Sequence, residues 1–298
     1  MSSEELLEQF LNYLSVEKGL RPKSLEAYRR DLQDWIEFAK EQGRTIIDST
    51  VEGLLQRFSI HMHDKGLSPR SMARKSSALK GFYRFLLREG ITDFDPTAIL
   101  ERPKIGRPLP KVMTIEEIER ILKQPDEKTV LGLRDKAMLE LLYATGIRES
   151  ELISLKLGDV NTVAEFLSVE GKGGRERVVP VGTFALSAID EYLLKSRPKL
   201  CKDITERTLF LNPYGKPISR MGIWKVIKKY SLMAGISHDI SPHVFRHSCA
   251  THLLEGGASI MAVQEILGHV DVSTTQIYTH LTAKDLKDIH KKTHPRGE

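Results

Sequence analysis

The stretch SPHVFRHSCATHLLEGG, residues 241–257, sets His243 and His247 four positions apart with Arg246 between them. Histidines at i and i+4 can grip zinc, but the metalloprotease pattern requires a glutamate between them, and a fixed guanidinium repels a divalent cation. Ser241 and Pro242 start a helix, so His243 falls in its first turn, where orphan N–H groups favour anions. Arg246 lies three residues on, along the same face. One stripe thus carries an imidazole and a guanidinium beside backbone donors, an arrangement suited to phosphate oxygens rather than to a metal. Phe245, Cys249 and Leu253 follow at spacing four and read as the buried side, which makes Cys249 a core residue rather than a nucleophile.

Other positions carry weaker signals taken one at a time. Arg148, in TGIRESEL (145–152), follows a glycine turn at the start of a helix, free to serve a ligand or to pair with Glu149 and Glu151. Lys172 sits in Gly171-Lys172-Gly173-Gly174. That run lacks the spacing of a phosphate loop, so Lys172 is expected at the tip of a hairpin and no ATP site is expected. His269, directly after Gly268, is a helix cap or a catalyst. Tyr278, in LGHVDVSTTQIYTHLT (267–282), is surface decoration unless other groups gather around its phenol.

The elements that must hold these residues are mostly helices. Four amphipathic helices are predicted over about 3–17, 22–42, 49–64 and 69–89, with Ser68-Pro69 as N-cap and first-turn proline of the last and Gly90 as its stop. The stretch ERPKIGRPLPKV, with Pro103, Pro108 and Pro110, resists helix and sheet alike and predicts a linker at 103–111 between domains at 1–102 and 112–298. The second domain opens with a capping box, Thr114-x-x-Glu117. Further helices are predicted at about 129–144, 183–196, 219–234, 242–255, 259–267 and 283–290. EFLSVEGKGGRERVVPVG (165–182) alone reads as sheet, two β-rich runs joined by the glycine turn. The fold class is therefore mainly α with a small antiparallel β-sheet. Near the C-terminus Leu281, Leu286 and Ile289 make an apolar stripe, followed by Lys291 and Lys292, on a helix too short to stand alone.

Composition narrows the class further. The 298 residues are 40% hydrophobic and 29% charged, a globular balance, with no run of apolar residues long enough to span a membrane. The acidic, amphipathic opening MSSEELLEQF resembles no signal or transit peptide, and two cysteines, Cys201 and Cys249, exclude a disulfide framework; a cytoplasmic protein is expected. Net charge is +5, and its distribution is uneven. Lys65, Arg70, Arg74, Lys75, Lys80, Arg84 and Arg88 form a 24-residue stretch with no acid in it. Solvated helix faces usually alternate signs, so these seven are expected to contact a phosphate backbone.

In chain order, Arg148, Lys172, His243-x-x-Arg246, Gly268-His269 and Tyr278 resemble the pattern of the tyrosine recombinases, the lambda-integrase-like site-specific recombinases. The stretches TGIRESEL, GKGGRERVVPVG, SPHVFRHSCATHLLEGGASIMAVQEILGH and STTQIYTH look like that family's motif boxes. The likeness covers essentially the whole chain, is most specific over 241–280, and is nearest the Xer branch; Phe245 stands where leucine is usual. The resemblance implies an N-terminal four-helix, SAM-like core-binding domain and a mixed α/β catalytic domain ending in a C-terminal helix. It implies cutting and rejoining of double-stranded DNA at a dif-like site through a 3′-phosphotyrosyl intermediate and a Holliday junction, with no metal, ATP or other cofactor. Tyr278 would be the nucleophile, Arg148 and Arg246 the charge stabilisers, His243 the base, Lys172 the acid and His269 a phosphate-orienting donor. It further implies a tetramer on DNA, of this chain alone or with a second Xer recombinase. In that ring the C-terminal helix would dock on the neighbouring subunit, and a septal DNA translocase is a further partner to consider. The role implied is resolution of chromosome dimers. The alternative is the integrase of a phage or mobile element, many of which carry an extra arm-binding domain where this chain begins at once with the four-helix segment.

Overall fold

The computed structural model describes residues 1–47, 51–100, 112–171, 176–237, 240–268 and 281–297. The chain divides into two compact units, Met1–Pro108 and Leu109–Glu298. The stretch expected as a linker, 103–111, lies outside the described residues.

The first unit is helical: α1 (Ser3–Val16), α2 (Pro22–Glu41), α3 (Val51–Asp64) and α4 (Pro69–Arg88), followed by a 3-10 turn at Pro96–Ile99. Local chemistry sets the starts. Ser2 and Glu5 form a capping box on α1, and Ser68 accepts from the Ser71 N–H with Pro69 in the first turn of α4. Leu6, Leu7, Phe10, Leu32, Trp35, Leu54, Leu55, Phe82 and Tyr83 meet in the core. Trp35 Nε1 donates to Tyr83 Oη at 3.1 Å, and that hydroxyl donates to the Ile46 carbonyl at 2.7 Å, so both buried aromatic heads are satisfied.

The second unit opens with α5 (Ile115–Leu122), whose Thr114–Glu117 capping box forms as expected, and α6 (Val130–Thr145), buried on nearly every side. Then follow α7 (Glu149–Ser154) and a three-stranded antiparallel sheet in the order β1 (Val160–Asn161), β2 (Phe166–Glu170), β3 (Glu176–Pro180). Leu167 and Val169 face the core from β2, opposite Val179 and Arg177 of β3. The helix expected at about 183–196 is α8 (Thr183–Glu191) continued by a π-helical turn, Tyr192–Ser196, and α9 (Arg197–Leu200). Pro198 and the buried Tyr192 hydroxyl, which donates to the Leu209 carbonyl and accepts from the Leu211 N–H, account for that irregular stretch. The remaining helices are α10 (Arg220–Met233), α11 (Pro242–Glu255), α12 (Ile260–Leu267) and α13 (Ala283–Thr293).

The C-terminal helix packs on its own domain. Leu286 is buried, His290 Nε2 donates to the Ala144 carbonyl at 2.8 Å, and His294 Nε2 donates to the Tyr143 carbonyl at 3.2 Å. Within the chain the helix packs against β3, α11 and α12, and its histidines reach the end of α6. Among the described residues no helix is long and apolar enough to cross a membrane.

Candidate active site

Two helix ends build the site. α6 ends at Gly146 (φ +57°) and α12 at Gly268 (φ +66°), both in the left-handed conformation that glycine adopts without strain. At each end the last carbonyls have no partner in their own helix, and a helix C-terminus carries partial negative charge. Guanidiniums take them up. Arg246, from the second turn of α11, donates from Nη1 to the Gly146 carbonyl and from Nη2 to the Leu267 carbonyl, both at 2.6 Å. Arg148, the residue before α7, donates from Nη2 to the Gly268 carbonyl at 2.9 Å.

One carboxylate organises the rest. Glu151 reaches back one turn to accept from the Arg148 backbone N–H and from Arg148 Nη1, each at 2.8 Å. Arg177 of β3 forks onto both Glu151 oxygens at 2.9 Å. Burial pushes the Glu151 carboxyl up, but the bonds from Arg177 and Arg148 outweigh it and hold the group below the usual range. It is ionised at neutral pH. Two guanidiniums therefore hold this single negative charge, and Arg246 lies close enough to feel all three charges.

Arg246 bears the electrostatic consequence. Burial, then the like charges of Arg148 and Arg177, push its guanidinium down from 12.5 to about 10 against the pull of Glu151. It stays protonated at neutral pH, but among the described residues it has no carboxylate of its own. An anion delivered here would offset that deficit. Among the described residues Arg148 and Arg246 each use two of their five N–H donors on the bonds above, which leaves each with three for such an anion. Two forked cations suit the tetrahedral oxygens of a phosphate.

His243 stands in the first turn of α11, exposed, one turn before Arg246 on the same helix. Ser241 occupies the N-cap position, although its hydroxyl makes no cap bond. Lys172, His269 and Tyr278 lie outside the described residues. β2 and β3 flank Lys172, and His269 directly follows Gly268, whose carbonyl meets Arg148. Cys249 is fully buried behind Gly146 with its thiol pushed up to about 12 by burial, as a core residue should be. Arg177 and the bridging role of Glu151 were not foreseen. The signal for Arg177 was its phase: it alternates in step with Val179, on the side of β3 that faces the core.

The basic stretch, Lys65 ahead of α4 and the other six cations on it, divides in two. Arg74 pairs with Asp31, and Lys75, 7% exposed, pairs with Asp34 and with Asp31 at 3.3 Å. Lys80 donates to the Leu100 carbonyl at 2.9 Å. Arg88 bonds Glu89 and Glu17 and lies 4.1 Å over the Tyr13 ring. Lys65, Arg70 and Arg84 are exposed and carry no ion pair among the described residues.

Residues 111–285 match the phage integrase family, and residues 7–90 match the phage integrase N-terminal SAM-like domain. The tyrosine recombinase XerD of Staphylococcus saprophyticus is 44% identical over 294 residues, covering 99% of this chain and 100% of the relative. XerD of Staphylococcus epidermidis is 44% identical over 292 residues, covering 98% and 99% of the two chains. Among solved structures, the post-cleavage complex of the XerH site-specific recombinase bound to palindromic difH substrate aligns with a TM-score of 0.71 at 24% identity, over 96% of this chain and 83% of that one, a shared fold.

Proposed function

The chain belongs to the phage integrase family and is a tyrosine recombinase, a site-specific DNA recombinase, and from that premise we propose that the arginine pocket receives the scissile phosphate of a dif-like DNA site for attack by Tyr278. The observation that carries this reading is the buried Arg246, short of an anion, beside Arg148 with donors to spare.

The step conserves the phosphodiester bond energy. The Tyr278 oxygen bonds to phosphorus, the bond to the 5′-oxygen breaks, and a 3′-phosphotyrosyl ester stores what the broken bond held. A 5′-hydroxyl from the partner strand reverses the step, and two rounds pass through a Holliday junction. As phosphorus becomes five-coordinate, charge grows on its non-bridging oxygens, and the two guanidiniums meet it with permanent, forked cations. They supply the charge that a metal supplies in other phosphoryl transfers, so neither metal nor ATP enters. The phenol, near pKa 10, loses its proton to His243; Lys172, in the segment of sequence between β2 and β3, protonates the leaving 5′-oxygen; His269 hydrogen-bonds the phosphate. Lys65, just ahead of α4, and Arg70 and Arg84 on its exposed side are the cations best placed to contact the DNA backbone, with Arg74, Lys75, Lys80 and Arg88 adding positive charge to the same unit.

The protein acts on double-stranded DNA as a tetramer, of this chain alone or with a second Xer recombinase, in the cytoplasm, where it resolves chromosome dimers under control of a septal DNA translocase. The XerD relatives support that assignment over a phage integrase. Arg148→Ala and Arg246→Ala test it: cleavage of a dif-like duplex should slow by about 10³-fold or more while Kd changes by less than about tenfold. Equal losses in both would show that the arginines bind DNA without serving the transition state.

A further inference from the structure

Arg177 has no part in the step just described, yet it is the most heavily wired cation behind the pocket. Its side chain is 13% exposed, it gives both Nη groups to Glu151, and its Nε reaches the Ile266 carbonyl at 3.4 Å. Gly268 closes over it: a Cβ there would sit 2.8 Å from Arg177 Nε and 2.9 Å from Cζ. Arg177 thus joins β3, the carboxylate that grips Arg148 and the end of α12 in one contact.

Counting charges gives it a purpose. Glu151 is 6% exposed and among the described residues meets two guanidiniums, those of Arg148 and Arg177. A buried carboxylate with a single guanidinium partner draws both Nη groups into a fork. If Arg148 were that partner, the donors meant for phosphate would turn inward. With Arg177 forked on both oxygens, Arg148 gives Glu151 one Nη1 bond and, among the described residues, keeps three donors.

We propose that Arg177 is a positioning residue for DNA cleavage, holding Glu151 so that Arg148 keeps its free donors for the scissile phosphate, and tying β3 to the α12 end. This rests on the reading of the pocket above and deepens it.

The test measures cleavage rate at saturating DNA and Kd separately, on a nicked dif-like duplex, for wild type, Arg148→Ala, Arg177→Met, Glu151→Gln and the Arg177→Met/Glu151→Gln pair. Arg177→Met should slow cleavage roughly 10²-fold, the scale of a small misplacement in an active site, with Kd within about threefold. Removing the charge of Glu151 in the same chain leaves one acceptor oxygen but no anion to draw Arg148 inward, and should recover about tenfold or more of the rate. A purely structural role would show no such recovery. A double variant as slow as Arg177→Met, or Arg177→Met at the wild-type rate, overturns the proposal while leaving the pocket reading intact. Arg148→Ala cleaving as fast as wild type overturns both. Should Arg177→Met not fold, Arg177→Lys carries the same comparison: a lysine keeps the charge but cannot fork, so it should cleave about tenfold slower and recover with Glu151→Gln. No recovery there overturns the proposal equally.

Discussion

At the scale of single residues, the site is a balance of charges that no one of them reveals. Arg246 is comfortable only because two helix ends lend it carbonyls, and those carbonyls are aimed by two glycines. Gly146 shows how little slack remains. At φ +57° a Cβ would meet the Leu267 side chain at 2.5 Å and Cys249 Sγ at 3.1 Å. Gly146→Ala should therefore cost about 1–3 kcal/mol of stability in a urea melt, and slow cleavage as well, because the carbonyl that anchors Arg246 shifts. An unchanged melt and rate would mean that the turn is not under this constraint. The sequence made Arg148 and Arg246 visible through residue type and helix phase, because a guanidinium near a helix start has few uses. It left open whether Arg148 was merely ion-paired, and the structure shows that pairing with Glu151 and a free face coexist. Arg177 could not be ranked above Arg175 or other nearby cations without knowing that its strand phase points inward toward a glutamate 26 residues away.

At the scale of elements, helices whose signals were local were legible and partners from distant segments were not. Caps and prolines fixed the starts of α4 and α5 to within a residue. The acid-free stretch at 65–88 suggested seven open cations, but Asp31 and Asp34 approach from α2, more than 40 residues earlier, and close off Arg74 and Lys75. Paired and open cations should therefore fail differently. Arg84→Ala should weaken DNA binding broadly and lower the salt slope by about 1, with a normal melt. Lys75→Ala leaves the buried Asp31 with Arg74 as its remaining cation and should cost about 1–3 kcal/mol of stability before it touches binding. Matching binding defects and intact melts in both would refute the distinction.

The C-terminal helix carries a second element-scale expectation. Tyr143 donates to His252 Nδ1, whose Nε2 donates to the Met113 carbonyl, while His290 and His294 stack 4.7 Å apart and give their Nε2 protons to the end of α6. His294 Nδ1 accepts from the Arg296 N–H, so the ring must be neutral. Burial, and for His294 the neighbouring His290, holds all three below 6.5. A histidine depressed in the folded state contributes stability that is full above its unfolded pKa and lost as pH falls through the folded one. Thermal melts should thus drop as pH goes from about 7.5 to about 5, less steeply in a His290→Gln/His294→Gln variant. Parallel curves would mean that these rings do not anchor α13.

At the scale of the whole molecule, two units with separate cores divide the labour. The first is a helical unit whose exposed cations suit a polyanion; the second threads residues from α6, α7, β3, α11 and α12 into one cationic pocket. With α13 packed on its own domain, exchange between subunits would require it to leave the α6 end, where its histidines are held. What no single segment could disclose is the meeting of positions 146, 151, 177, 246 and 267, because that convergence depends on the tertiary path between them.

The central claim is that this pocket exists to let Tyr278 exchange bonds with a backbone phosphate. The most direct test traps the protein on a nicked suicide duplex carrying a dif-like site, with chelator present and ATP absent, then digests the covalent complex and identifies the residue bearing the nucleotide by mass spectrometry. The account predicts a nucleotide on Tyr278 and no complex with Tyr278→Phe. A nucleotide on any other residue, or a complex that vanishes with chelator, would contradict it.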